Sequence, residues 1–360
     1  MLSFRISLNT ESNVFLPNSQ VSGTVHLEIE KELKAQKIDL QIFGVAKTKW
    51  HEDRRYSKNM SERIHFSAEL FYIETNDILW QSSTTSDGII QTLQPGKYQF
   101  PFHFIIPSNA APCISGEFGN ISYQMETNID ISWKKEKLKK ETRRCEFFVY
   151  RNMDLNLYPQ LASMASSSDF VIQNKCCSRS AFPLDVQISI PKAGYVLGET
   201  IEVKIEITNK TSWKIKKFEI GIYENIDYMA HFERSNYGYH TATGPRTVYK
   251  TSKKKVTSKI FIFNSSANGI ITYNLEVPEL IPTYRECSLI KNGYSLFVKA
   301  STNAIFSSGP EVLQPIIIGT VPIREPSAIG SNASQTKSSE KKSDNENVEE
   351  NESKGGDSVN

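Results

Sequence analysis

Two adjacent cysteines, Cys176 and Cys177, are the residues of this sequence that come nearest to a metal or redox centre. Neighbouring side chains on an extended strand point to opposite faces, so both sulfurs cannot easily bind one ion. We therefore expect one buried and one exposed thiol. The six histidines are scattered, and His26 and His103 fall on polar strand positions, where solvated side chains are expected. Phosphate-binding glycine loops and nucleophile elbows are absent from the sequence. It predicts no enzyme, no metal site and no cofactor.

Clusters of lysine and arginine form a second kind of candidate site. Residues 133–144 carry seven positive and two negative charges, and a run of three lysines follows a tyrosine-rich loop further on. Such clusters attract anionic lipid or acidic segments, at about 1 kcal/mol for each charge near a membrane. The alternative, which we favour for any single cluster, is a solvated hairpin face, because lysines also protect strand edges from pairing. The candidate anionic-ligand or membrane patch comprises Lys134, Lys135, Lys137, Lys139, Lys140, Arg143, Arg144, Lys253, Lys254 and Lys255.

Bulk composition narrows the class of protein. The 360 residues are enough for two domains with full cores. Lysine and arginine (42) nearly balance aspartate and glutamate (40), so we expect no nucleic-acid partner. The first residues lack a secretory pattern, and no window reaches the roughly 18–20 apolar residues of a membrane span. Five scattered cysteines are typical of reduced thiols, so we expect a cytoplasmic protein that contacts membranes peripherally.

Alternation of apolar and polar residues is the dominant pattern along the chain. Val21, Val25 and Leu27 lie on one face of an extended segment, with polar residues between them, and many later segments repeat this pattern. Turn-forming residues separate the segments, and no long stretch shows a helical period. Many short strands without crossover helices predict an all-β fold built from sandwiches.

An internal repeat indicates two copies of one sandwich. Residues 13–29 align with residues 193–209 at a constant offset of 180, so that Val21 matches Ile201 and Val25 matches Ile205. Two further strand patterns match in the same order. We predict a first sandwich over residues 1–152, a connection over 153–174 and a second sandwich over 175–323. Residues 324–360 are rich in serine, asparagine and glutamate and predict a disordered acidic tail.

Several motifs in a fixed order resemble those of a known family. They are Gly44-x-Ala46-x-x-x-Trp50-x-Glu52, Leu93-x-Pro95-Gly96-x-Tyr98-x-Phe100-Pro101-Phe102, Gly194-Tyr195-x-x-Gly198-Glu199 and Tyr294-x-Leu296-x-Val298. Over about residues 4–322 the sequence resembles the arrestin-domain-containing proteins, and the α-arrestin branch most closely. The resemblance implies two tandem arrestin-type, immunoglobulin-like β-sandwich domains. It also implies a non-enzymatic adaptor that binds cytosolic tails of membrane-protein cargo and links them to trafficking proteins in endocytosis, at the plasma membrane or endosomes.

The C-terminal segment departs from the α-arrestin pattern. α-Arrestins typically carry P-P-x-Y motifs there, which dock WW domains of ubiquitin ligases. Residues 323–360 contain Pro326 as their single proline and no tyrosine, which argues against direct binding to such ligases. A constitutive subunit of a coat or endosomal sorting complex, like the arrestin-like subunit of retromer, is the alternative function. A secreted immunoglobulin-type sandwich would require a signal peptide and cysteine pairs, and the sequence shows neither.

Overall fold

The computed structural model of the chain describes residues 2–57, 60–83, 92–133, 137–174, 181–232, 247–304 and 308–324. Five features named above lie outside these ranges: the Cys176–Cys177 pair, Lys134, Lys135, the tyrosine-rich loop of residues 237–240 and the segment from residue 325 onward. Apart from two short 3₁₀ helices, the regular elements of the described ranges are strands. The prediction of an all-β chain is confirmed.

The first sandwich consists of two mainly antiparallel sheets. Its nine strands are β1 (Leu2–Leu8), β2 (Val14–Phe15), β3 (Gln20–Ile29), β4 (Ala35–Ser57), β5 (Met60–Gln81), β6 (Gly96–Ile105), β7 (Ile114–Gly116), β8 (Gly119–Trp133) and β9 (Lys137–Val149). One sheet has the order β1-β3-β6. The other has the order β5-β4-β8-β9-β2, with β7 also paired to β8. Within this sandwich only the short β2–β9 pairing is parallel among the strands described.

The second sandwich has the same two-sheet construction. Its strands are β10 (Ala165–Asn174), β11 (Ala181–Ile190), β12 (Gly194–Val196), β13 (Thr200–Asn209), β14 (Ile215–Phe232), β15 (Thr247–Ser265), β16 (Gly269–Glu276), β17 (Ile290–Thr302) and β18 (Glu311–Gly319). One sheet has the order β10-β11-β13-β16. The other has the order β12-β18-β17-β14, with β15 on the far side of β14.

The alternating residues predicted to face inward do so in both copies of the repeat. Val21 and Val25 of β3, and Ile201 and Ile205 of β13, are fully buried in their respective cores. Removing such side chains from water stabilises each sandwich at about 25 cal/mol per Å² of apolar surface. The repeated sequence therefore forms the corresponding strand in each sandwich.

The segment predicted to connect the two sandwiches, residues 153–174, is more ordered than its composition suggests. It contains the 3₁₀ helices η1 (Leu155–Leu157) and η2 (Pro159–Ala162), and then the edge strand β10. Within β10, Ser167 Oγ donates to Gln314 Oε1 at 2.7 Å and Asp169 Oδ2 accepts from the Glu311 amide at 2.9 Å. These small polar residues form a strand because they pair with β11 along its whole length, and the side-chain bonds to β18 attach that strand to the opposite sheet. The predicted boundaries of the connection and the two domains stay predictions.

No helix in the described ranges is long and apolar enough to cross a membrane.

Candidate interaction surfaces

The two sandwiches are joined by a shared sheet. The last two residues of β14 in the second sandwich pair with β5 of the first, with His231 opposite Ser67 and Phe232 opposite Phe66. The larger sheets of both sandwiches consequently form one sheet of eleven strands, nine of which lie along its main path. One cluster of buried apolar side chains also includes residues of both sandwiches. The two sandwiches accordingly form a single compact unit, Met1–Ile323.

An aromatic contact lies at the centre of this junction. Tyr228 of β14 is 1% exposed, and its ring and that of Phe118 meet edge to face at a centroid distance of 5.5 Å. Phe118 also meets Trp50 at 6.0 Å. Lys250 of β15 lies over Phe118, 4.9 Å from its ring centre, and its Nζ is 3.2 Å from Glu52 Oε1. A cation over aromatic rings adds attraction to the apolar burial, so this part of the junction is both packed and charge-balanced.

Hydrogen bonds cross the junction on both sides of this contact. Thr48 Oγ1 donates to the carbonyl of Met229 at 2.7 Å. Further along, the Thr320 amide donates to the carbonyl of Met153 at 2.8 Å, and the Met153 amide donates to Thr320 Oγ1 at 2.9 Å. These bonds fix the segment after the first sandwich against β18 of the second. Partial burial adds to the cost of breaking the Thr48 and Thr320 side-chain bonds, because the partner group would be left unpaired.

A cavity of about 440 Å³ opens where residues 151–161 meet residues 282–286. Arg151 stands at its wall and donates to the carbonyls of Ser108 and Ala110 at 3.0 and 3.2 Å. The same guanidinium lies 3.3 Å from Glu286 and over the Tyr284 ring at 5.7 Å. Its hydrogen-bonding capacity is therefore largely used within the protein. Arg151 connects the two sandwiches, and its charge is already paired.

Two buried phenols, Tyr284 in the wall of this cavity and Tyr72, are held in their neutral form. Burial raises the pKa of Tyr284 to about 12, and the nearby positive charge of Arg151 opposes that shift. Burial also raises the pKa of Tyr72. Neutral phenols at physiological pH act as hydrogen-bonding and packing groups. They provide no base suited to proton abstraction.

The first basic cluster is divided between the two faces of β9. Arg143 lies over the ring of Phe4 at 4.9 Å, on the side facing β1. The next residue, Arg144, lies on the opposite face and its Nε is 2.7 Å from Glu126. Lys140 is exposed, and by the period-2 alternation of a strand it shares the face of Arg144. Lys137 and Lys139 lie on the same strand, and their side chains are outside the described part of the structure.

The second basic cluster is balanced by acidic residues. Lys253 Nζ lies 3.9 Å from Glu311 and 3.9 Å from the centre of the Tyr223 ring. Lys255 bonds to Glu219, and this hydrogen bond lowers the pKa of the carboxyl group.

Lys254 has its own acidic neighbour on the adjacent strand, Glu224. Burial raises the pKa of Glu224, and the charge of Lys254 opposes that shift. Each of the three lysines thus stands beside a carboxylate, which reduces the charge available to an external anion. Binding of anionic ligands by either cluster stays a prediction.

The junction was missed by the sequence-based search for candidate sites. The sequence of β14 does contain a pattern that belongs to the junction, since apolar Ile226, Tyr228 and Ala230 continue the alternation of the strand. Sequence alone assigns these residues to the core of their own sandwich. The structure packs them into the core cluster centred on the first sandwich.

Comparison with known proteins adds the following findings. The sequence profile described as "Arrestin (or S-antigen), N-terminal domain" matches residues 4–156, and "Arrestin (or S-antigen), C-terminal domain" matches residues 181–323. The chain is 25% identical to "Arrestin domain-containing protein 17" of Caenorhabditis elegans, over 89% of this chain and 70% of that protein. It is also 25% identical to "Arrestin domain-containing protein 4" of Mus musculus, over 84% of this chain and 68% of that protein. "Arrestin domain-containing protein 1" of Rattus norvegicus is 22% identical, over 63% of this chain and 48% of that protein.

Proposed function

Since the chain belongs to the arrestin-domain-containing proteins, we propose that it is a non-enzymatic adaptor that binds cytosolic segments of membrane proteins and links them to intracellular trafficking. The observation that carries this proposal is the presence of both arrestin domains, in family order, over nearly all of the described chain. The proposed location is the cytoplasm, peripherally at the plasma membrane or at endosomes.

Unpaired strand edges support a binding role. β6 and β16 end their sheets, and each pairs with one neighbouring strand in the described structure. Exposed apolar side chains lie on both, with Ile105 66% and Ile270 56% accessible. An extended peptide added to such an edge gains main-chain hydrogen bonds, and alternate side chains supply specificity. Cytosolic tails and loops of membrane proteins are segments of this kind.

The rigid junction supports the same role. A shared sheet and core hold the surfaces of the two sandwiches in one arrangement. Binding elements that are already positioned lose less conformational entropy on association. A single ligand can therefore contact both sandwiches at lower cost than it could on two independently moving domains.

Size-exclusion chromatography of the native protein from cell extract tests this function against the coat-subunit alternative. A regulated adaptor elutes mainly near the mass of the free chain, and captures membrane proteins in less than equimolar amounts. A constant high-mass complex with one equimolar partner would overturn the adaptor proposal in favour of a coat or sorting subunit.

Charge reversal tests whether the first basic cluster contributes to binding at an anionic membrane surface. We expect Lys140→Glu with Arg144→Glu to reduce co-sedimentation with vesicles containing phosphatidylserine. The matched control is Lys204→Glu with Lys210→Glu, since both lysines are exposed in the second sandwich and the net charge changes equally. Equal binding by both double variants would remove the cluster from the proposal.

A further inference from the structure

Two histidines face each other on the outer surface of the β4–β5 hairpin. His51 of β4 is paired directly with His65 of β5, and both side chains are exposed. Their ring centres are 6.1 Å apart. The adjacent pair, Trp50 and Phe66, stacks on the opposite, buried face at 5.9 Å. That buried stacking fixes the register of the hairpin and therefore holds the two imidazoles side by side.

This spacing suits a metal ion bound between the two rings. With metal–nitrogen bonds of about 2.0–2.1 Å, each ring centre stands roughly 3.2 Å from the ion, so two ring centres can lie up to about 6.4 Å apart. Rotation of the exposed rings about their side-chain bonds shortens the spacing toward the roughly 5.2 Å of a tetrahedral angle. Imidazole nitrogen is a preferred ligand of zinc, copper and nickel. No backbone movement is needed to bring both rings onto one ion.

The pairs that flank the two histidines on the same face are Asp53–Arg63 and Lys49–Ser67. Asp53 and Arg63 form the next pair on the same face and bond to each other at 2.9 Å, so the arginine charge is paired. On the other side, His231 of β14 is paired with Ser67 and so shares the face of His65. His231 Nδ1 is engaged by Thr247 Oγ1 at 3.2 Å. Within the described ranges, no group of three or more His, Cys, Asp or Glu side chains converges on one point. The hairpin therefore offers two protein ligands.

We propose that His51 and His65 form a two-imidazole binding site for a divalent transition-metal ion of the zinc and copper class, with water or a partner's side chain completing the coordination. The site includes His65 of β5, the strand that pairs with β14 at the junction of the two sandwiches, and both histidines are exposed. It is independent of the adaptor function proposed above, since neither its ligands nor its geometry depend on cargo.

The test is isothermal titration of the full-length, tag-free chain with Zn²⁺, repeated with Cu²⁺. We expect one site on the hairpin, with Cu²⁺ binding more tightly than Zn²⁺, as the Irving–Williams order requires. His51→Ala and His65→Ala should each weaken binding at this site by at least about tenfold, because either change leaves a single imidazole. The matched control is His103→Ala, an exposed strand histidine that has no histidine opposite it.

Circular dichroism of each variant confirms that the fold is retained, which both exposed positions should allow. Continuous-wave electron paramagnetic resonance of the Cu²⁺ complex provides a second readout, with two nitrogen ligands in the wild type and fewer in either variant. Binding that persists unchanged in His51→Ala and His65→Ala overturns the proposal. Equal weakening by His103→Ala also overturns it, because the loss would then not be specific to the pair.

Discussion

Breaking the aromatic contact between Phe118 and Tyr228 should destabilise both sandwiches together. Tyr228 is 1% exposed, and truncating a buried aromatic ring to alanine costs about 3–5 kcal/mol. Phe118 is half-buried, so Phe118→Ala should cost about half as much. An edge-to-face pair adds about 0.5–1.5 kcal/mol beyond area burial. The double variant should therefore lose less stability than the sum of the single variants, by that amount.

Urea unfolding of the full chain measures the stability lost by each variant and the coupling energy between the two rings. Four tryptophans give the fluorescence signal, and Trp213 is the one in the second sandwich. In a Trp213→Phe background, fluorescence reports the first sandwich alone, whereas circular dichroism reports both. We expect the two signals to share one transition, and Tyr228→Ala, a change in the second sandwich, to shift that transition in both signals.

A pair of distant residues serves as the control for the double-mutant cycle of Phe118 and Tyr228. Ile188 is fully buried in the second core, and Phe118→Ala combined with Ile188→Ala should be additive within about 0.3–0.5 kcal/mol. A coupling energy of zero for Phe118 and Tyr228 would refute the shared contact. A first-sandwich transition that Tyr228→Ala leaves in place would refute cooperative unfolding across the junction.

Three further changes test other contacts. Gly116→Ala should lower the free energy of unfolding by about 1–3 kcal/mol through overpacking, since a Cβ there would lie 1.9 Å from the hydroxyl of Tyr228. An unchanged urea midpoint would contradict this. Thr48→Val should lower the free energy of unfolding by about 1–2 kcal/mol, because it removes the bond to the Met229 carbonyl. The control Thr127→Val should be nearly neutral, since its buried hydroxyl lacks a partner in the described ranges. Equal losses in urea unfolding would argue against the cross-junction bond. Lys255→Met should raise the lowered pKa of Glu219 toward 4.5, because it removes the hydrogen bond from Lys255. The variant should then lose less stability than the wild type as the pH falls below 4.5. A carboxyl NMR titration that shows no change in this pKa would contradict the pairing.

The inward-facing residues of the repeat could be predicted because each sandwich buries them by itself. Val21 and Ile201 occupy the same strand position in the two copies, and both are fully buried. Alternation with period two is a local property, so a single sequence reveals it. The family motifs depend on the same strands and turns, and their order along the chain was sufficient to identify the fold.

The strand β10 and the junction could not be predicted in this way. Ser167 and Asp169 have the composition of a loop, and they form a strand because they pair with β11. Distant residues of β18 bond to their side chains as well. The burial of Tyr228 depends on Phe118, which is more than a hundred residues earlier in the chain. Such contacts depend on tertiary structure, which local propensity does not encode.

The histidine pair illustrates the same limit within one hairpin. His51 and His65 become neighbours through the register of β4 and β5, and a shift of one residue would move the two side chains to opposite faces. A sequence search finds two histidines fourteen positions apart, a spacing that suggests no ligand set. Trp50 and Phe66, placed symmetrically beside them, are the signal that fixes the register.

Proximity labelling in living cells tests the central claim most directly. The full chain is fused to a labelling enzyme, and the same enzyme without the chain is the diffusible control. An adaptor for membrane proteins should enrich integral membrane proteins with cytosolic segments, together with trafficking proteins, over that control. A labelling profile indistinguishable from the diffusible control would contradict the proposed function.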